Sequence, residues 1–296
     1  MGKPKKTGML GRLLASLPAP KLLYPLYLAR QLDTVEEEYG FPRLPAVFDG
    51  LKIAYVSDIH YGVLLKEDRV RALGEKINAM NADIVLLGGD YGENTEGAIR
   101  FFQLHPHFRG KIAVLGALGN HDRNQPEINL QLLLEEMKQN GVIPLRNDAW
   151  LLEKQGSSIA FASTDDIFFG EPDFPKTARL CKDADFTIYF PHNPDSLPET
   201  YALGDASFYQ LALCGHTHGG QVALGRRAVI SSSMYGNRFM SGWYRENGAD
   251  IMVSNGVGTS KLPVRLGARP QIHLITLRRK ENTEIKEANQ RRSRGK

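Results

Sequence analysis

Cysteine is almost missing from this chain. Two residues, Cys181 and Cys214, occur in 296, too few for a disulfide framework or a four-cysteine zinc site. No apolar run reaches the roughly 18 residues that a membrane-spanning helix needs. There is no internal repeat and no low-complexity tract, and 42% hydrophobic with 24% charged residues excludes a disordered, collagen-like or coiled-coil chain. Acid is absent from residues 1–30, which hold Lys3, Lys5, Lys6, Arg12, Lys21 and Arg30. Residues 278–296 carry +5, and the whole chain carries +4, so residues 31–277 carry −7. An acidic body between basic ends argues against a nucleic-acid-binding face on the body and for ends that meet an anionic membrane surface.

Three prolines, Pro18, Pro20 and Pro25, forbid one continuous helix over the apolar N-terminal stretch. We read residues 1–47 as an N-terminal segment lying in a bilayer interface, with a secretory signal or simple packing on the domain as the alternatives. That reading implies a cytoplasmic protein, peripheral on the inner membrane face; the signal reading implies export. Residues 279–296 read as a basic tail without a packed core. The body, residues 48–278, begins as alternating strands and helices. Strands are expected at Leu51–Ser57, Asp83–Leu87 and Lys111–Leu115, with helices at Arg69–Met80 and from Pro126 to about Asn140. A βαβαβαβ order to residue 145 implies right-handed crossovers and a largely parallel sheet.

The texture changes after Asn147. Trp150–Glu153 and Ser158–Ala162 flank the hairpin signal Lys154-Gln155-Gly156. Further strands are expected at Phe186–Phe190, Phe208–Cys214, Ile251–Val253 and Gln271–Leu277, with a helical stretch around Ser196–Leu203. The fold class expected is therefore α/β, with two packed β-sheets and helices outside.

Four of these segments put ligand-type residues just past an apolar strand: Asp58-Ile-His60, Gly88-Gly89-Asp90, Gly119-Asn120-His121-Asp122 and Gly215-His216-Thr217-His218. Pro191-His192-Asn193 adds a fifth. In an open α/β sheet the carboxyl ends of parallel strands face one crevice, so such ends converge. D-x-H or G-D alone is a weak signal; the set in this order is specific. Carboxylate oxygens and imidazole nitrogens without thiolates suit Mn, Fe or Zn.

These motifs resemble the calcineurin-like metallophosphoesterase superfamily, over about residues 48–278. Gly219-Gly220-Gln221, Asn255-Gly256-Val257-Gly258 and Leu262-Pro263-Val264-Arg265 are similar to its bacterial YkuE-like and YaeI-like phosphodiesterase branch. The resemblance implies a four-layer αββα sandwich of two mixed sheets and a pair of divalent metal ions. One ion would be held by Asp58, His60 and His218, the other by Asn120, His192 and His216, with Asp90 bridging. It implies hydrolysis of a phosphodiester, pyrophosphate or phosphomonoester by a hydroxide shared between the ions. His121 would act as proton donor, oriented by Asp122. A lipid-linked or nucleotide-sugar pyrophosphate, such as the UDP-2,3-diacylglucosamine of a similar branch, is the alternative substrate. The alternative of another class is a non-catalytic scaffold on the same fold, which should have lost ligands; none is missing here. A metallo-β-lactamase-type hydrolase would need an H-x-H-x-D-H run after a strand, and none is present.

Some residues stay outside this set. Glu93 stands where many relatives place Asp. His105-Pro106-His107 reads as a surface loop, His273 and Cys214 as structural. The aromatic, cationic stretch from Tyr235 to Arg245 offers Arg238 and Arg245 as substrate phosphate contacts, or else covers a sheet edge. No protein partner is indicated.

Overall fold

The computed structural model describes residues 26–62, 65–204, 206–225, 227–229 and 231–280. The expectations for residues 1–25 and 281–296, interfacial segment and basic tail, lie outside these residues. Among the described residues no helix is long and apolar enough to cross a membrane.

The first strand, β1 (Asp33–Phe41), was not expected. It pairs in parallel with the final strand over nine residues, Asp33 opposite Gln271 and Phe41 opposite Arg279. The body therefore begins before residue 48, which corrects the expected boundary. Its run Glu36-Glu37-Glu38 suits an edge strand, where charge discourages further pairing. Glu38 is matched across the ladder by Arg278, at 2.6 Å.

The next strands and helices follow the expected order. They are β2 (Lys52–Val56), α1 (Glu67–Ala79), β3 (Ile84–Leu87), α2 (Thr95–Gln103), β4 (Ala113–Gly116), α3 (Glu127–Gln139) and β5 (Val142–Pro144). β2 to β5 run parallel, and the middle residues of β2, β3 and β4 are apolar on both faces because both faces are covered. Ile53, Tyr55, Ile84 and Leu86 turn towards the second sheet, while Ala54, Val56, Val85 and Leu87 turn towards Leu73 and Ile77 of α1 and Phe101 of α2.

The second half supplies β6 (Asp148–Lys154), β7 (Ser157–Ser163), α4 (Phe174–Leu180), β8 (Phe186–Tyr189), α5 (Ser196–Thr200) and β9 (Leu211–Cys214). A short ribbon, β10 (Ala223–Leu224) and β11 (Arg227–Ala228), precedes β12 (Gly242–Glu246), β13 (Ala249–Val253) and β14 (Gln271–Arg279). Gln155 and Gly156, both at positive φ (51° and 76°), make the tight turn that joins β6 and β7. The two large sheets have strand orders β1-β14-β2-β3-β4-β5 and β12-β13-β9-β8-β7-β6, and each mixes parallel with antiparallel pairs. Phe161, Phe186, Ile188 and Leu213 from one meet Ile53, Leu86 and Leu115 from the other. Helices cover both outer faces, so the layers are αββα as expected.

His273 in β14 is buried, with Nε2 3.1 Å from Ser254 Oγ. Burial pushes its pKa down to about 4. The unfolded chain, near 6.5, then binds the proton first, so this stability is fully present above pH 6.5 and is lost as the pH falls towards 4. A loss of about 3 kcal/mol across that window is expected. Urea unfolding at pH 7 and pH 4.5 checks it: His273→Gln should flatten the slope.

Candidate metal centre

The ligand-type residues leave strand ends from both sheets and meet. Asp58 and His60 follow β2, Asp90 follows β3, Asn120 and His121 follow β4, His192 follows β8, and His216 and His218 follow β9. These strands are parallel neighbours within their sheets, which is why their carboxyl ends share one crevice. Asp58, His60, Asp90, His216 and His218 all adopt φ between 47° and 67°, a region that non-glycine residues seldom enter. Such backbone strain concentrates at functional sites.

Two glycines let the loops close. A Cβ on Gly119 would strike the Asp90 carboxylate, and one on Gly215 would strike Asp58 Oδ2. Amide donors then lock the carboxylates, with His216 N–H donating to Asp58 Oδ1 and His121 N–H to Asp90 Oδ1, each at 2.9 Å.

Three sets each bring one donor atom per residue within 4.8 Å of the others: Asp58, His60 and His218; Asp90, His192 and His216; and His60, Asp90 and His121. Asp90 Oδ2 lies 3.2 Å from His192 Nε2 and 3.6 Å from His60 Nε2, between the first two sets. Asn120 Oδ1 lies 2.8 Å from His216 Nδ1. All seven side chains expected as ligands are thus brought together.

Ring orientation follows from the outer contacts. His192 Nδ1–H donates to Gly88 O at 2.7 Å, turning Nε2 inward to Asp90, while Asp58 Oδ2 is buried without a hydrogen-bond partner. His216 Nε2 donates to Ser232 O at 3.3 Å, which leaves Nδ1 facing Asn120. His121 Nδ1–H donates to Glu93 O at 2.8 Å, leaving its Nε2 as the free ring atom.

Charge is crowded here. Against burial, which works the other way, His192 holds Asp90 well below the usual carboxylate range. Burial lowers His192, yet Asp90 and Asp58 lift it to about 10. Burial and then the His192 charge push His216 down to about 4. Two unscreened carboxylates thus draw a proton onto the nearest ring, the position at which cationic charge is most needed.

Asp122 corrects an expectation. Its carboxylate makes no hydrogen bond to His121; it accepts from the backbone N–H groups of Asp90 (2.7 Å), Tyr91 (3.0 Å) and Gly119 (2.9 Å). It ties the β3 loop to the β4 loop. Burial, and then the Asp90 charge, raise its pKa to about 7.

Arg238 and Arg245 are likewise placed apart from the cluster. Arg238 pairs with Glu246 at 2.6 Å and lies over the Tyr235 and Phe239 rings. Arg245 pairs with Asp250 at 3.3 Å, in a groove shared with Glu37, Glu38 and Tyr39 on the β1 edge. Trp243 stacks on Tyr39 (4.1 Å), so this stretch covers a sheet edge. His105 and His107 line a separate groove beside α1.

Two contributors escaped the sequence reading. The Glu93 carboxylate lies 2.7 Å from His60 Nδ1, and its place three residues after Asp90 was the available signal. Arg265 is fully buried, and its Nη2 donates to His218 Nδ1 at 3.0 Å. Its place in the branch-like segment Leu262-Pro263-Val264-Arg265, as a lone cation among apolar residues, was the available trace.

The calcineurin-like phosphoesterase family profile matches residues 51–220. The chain is 31% identical to the uncharacterized metallophosphoesterase YkuE of Bacillus subtilis, over 86% of this chain and 89% of that protein. It is 30% identical to the uncharacterized protein YpbG of the same organism, over 77% and 81%. It is 28% identical to the phosphodiesterase YaeI of Escherichia coli, over 76% and 82%.

Proposed function

Because the chain belongs to the calcineurin-like phosphoesterase family, we propose that it hydrolyses a phosphodiester, with pyrophosphates and phosphomonoesters as the neighbouring substrate classes. The observation that carries this reading is the pair of buried His/Asp sets with Asp90 between them. The donor set fits divalent ions. It is oxygen and nitrogen without thiolate, it is strained into convergence, and its buried Asp58 Oδ2 has no hydrogen-bond partner. Asp58, His60 and His218 would hold one ion; Asn120, His192 and His216 the other; Asp90 both. When bound, such a pair supplies Lewis acidity to a phosphoryl group and a hydroxide nucleophile near neutral pH.

The chain's own residues do the rest. His121 is the proton donor to the leaving oxygen: Glu93 O fixes its Nδ1–H, and the Asp90 carboxylate, acting against burial, raises its pKa. Glu93 and Arg265 fix the rings of His60 and His218. Asp122 keeps the β3 and β4 loops in register. Phe168, whose ring lies 5.5 Å from that of His216, walls one side of the cleft. Contact of the basic chain ends with an anionic membrane belongs to the same reading, supported by the charge split along the sequence.

Bis-p-nitrophenyl phosphate hydrolysis tests the proposal. We expect a rate that falls at least about a hundredfold after chelation and returns with added manganese. A rate indifferent to chelator would remove the metal-dependent mechanism.

A further inference from the structure

The surface beside the cleft has an unusual composition. Residues 206–245 contain four arginines and no acid, and residues 251–280 contain no acid either, in a body that is otherwise acidic. The five most exposed large apolar side chains among the described residues are Leu224 (72%), Ile128 (67%), Leu262 (62%), Val229 and Met234 (61% each). Four of the five lie in this acid-free region; only Ile128, on α3, does not.

These four sit on three segments that hydrogen bonds hold together. Gln221 follows directly on His218-Gly219-Gly220, and its side-chain amide donates to Ser260 O and Leu262 O at 3.1 and 3.0 Å. Ala223 N–H donates to Leu266 O at 2.7 Å, which fastens the β10–β11 ribbon to the same loop. Ala228 N–H donates to Asn237 Oδ1 at 2.9 Å, which adds the segment carrying Met234. Arg227 and Lys261, close to Leu224, Val229 and Leu262 along the chain, are exposed.

A soluble surface does not gather its most exposed apolar groups in one place without a partner. Arg238 and Arg245 are paired with Glu246 and Asp250, and the buried Asp195 accepts from Met234 N–H, which leaves Arg227 and Lys261 as the exposed cations beside the apolar tips. Such tips beside cations match a headgroup layer: the side chains enter the acyl boundary while the cations meet lipid phosphates. We propose that this face, formed by the β10–β11 ribbon with the loops around Lys261 and Met234, docks on an anionic lipid bilayer. The ribbon starts at Ala223, five residues after His218, so docking there turns the cleft towards the membrane. This surface is separate from the basic ends of the chain and does not depend on the hydrolytic reading.

Co-sedimentation of the full chain with phosphatidylcholine vesicles, with and without 30% phosphatidylglycerol, tests the proposal. We expect binding to the anionic vesicles only. Leu224→Ser with Leu262→Ser should weaken it by roughly tenfold or more. Arg227→Ser with Lys261→Ser should weaken it by about 25-fold, near fivefold per cation. Bis-p-nitrophenyl phosphate hydrolysis and the melting temperature should stay unchanged in both variants, since these side chains are exposed. Vesicle binding equal to wild type in the variants, or no binding by the wild type, overturns the proposal. So does a dimer by light scattering that either variant dissolves, because a second copy would then occupy the face. Absent hydrolysis in the wild type would count against the phosphoesterase reading alone.

Discussion

Asp90→Asn should lower the turnover of a phosphodiester by on the order of a thousandfold, about 4 kcal/mol of barrier, and reduce bound metal from two ions per chain to at most one. The amide keeps the size of the carboxylate and can still accept the His121 N–H, so the loop is preserved. What it removes is the negative charge between His60 and His192, at 3.6 and 3.2 Å. Asp58 lies 3.9 Å from His192, farther than Asp90, so it makes up little of the loss. Steady-state kinetics with metal analysis of the same preparation would check this. Two ions and wild-type turnover in the variant would mean that Asp90 is not shared.

Arg265→Met is expected to have the largest effect on stability. The guanidinium is fully buried and donates to Gly258 O, His218 O (2.8 Å), Ala268 O (3.4 Å) and His218 Nδ1 (3.0 Å). Burial lowers its pKa to about 10 and the Asp58 carboxylate opposes the fall, so it remains a cation at neutral pH. Methionine fills much of the volume but strands three carbonyls and uncouples the 258–268 loop from His218. We expect a loss of about 3–5 kcal/mol, or roughly 10 °C in melting temperature for a domain of this size. Arg265→Lys should recover little, because a single ammonium cannot fork between these acceptors. Thermal unfolding followed by circular dichroism reads both variants; an unchanged midpoint for Arg265→Met would show that the fork is dispensable.

The sequence made the parallel half legible because its strands are buried on both faces. Runs such as Ile84–Leu87 read as continuous apolar strands, and the helix after Pro126 was bounded by Pro126 and Gly141. β1 stayed hidden because three consecutive glutamates on an edge strand look like a solvated charge run. β12 was hidden because its side chains, among them Trp243 and Tyr244, mix apolar and polar character along both faces. The seven converging positions proposed as ligands were readable since each sits just after a strand. What supports them was harder to see. The backbone bonds of Asp122, the Glu93–His60 contact and the Arg265 fork depend on loop conformation, which local pattern does not encode. Arg238 and Arg245 misled for the opposite reason: cations beside aromatics suggest phosphate binding, but their acids arrive at Glu246 and Asp250, after the aromatic stretch.

The parallel pairing of β1 with β14 also decides where the chain enters and leaves. β14 runs against β2, so Gln271 and its partner Asp33 lie at the end of the sheet that bears the cluster, while Arg279 lies at the other. Nine strand residues separate the two ends by about 30 Å. A fluorophore placed at Asp33 would report on events at the mouth of the cleft, and one placed at Arg279 would sit on the far side. Attachment to a solid support through Arg279→Cys should therefore leave the cleft open to solution, whereas attachment through Asp33→Cys should crowd it.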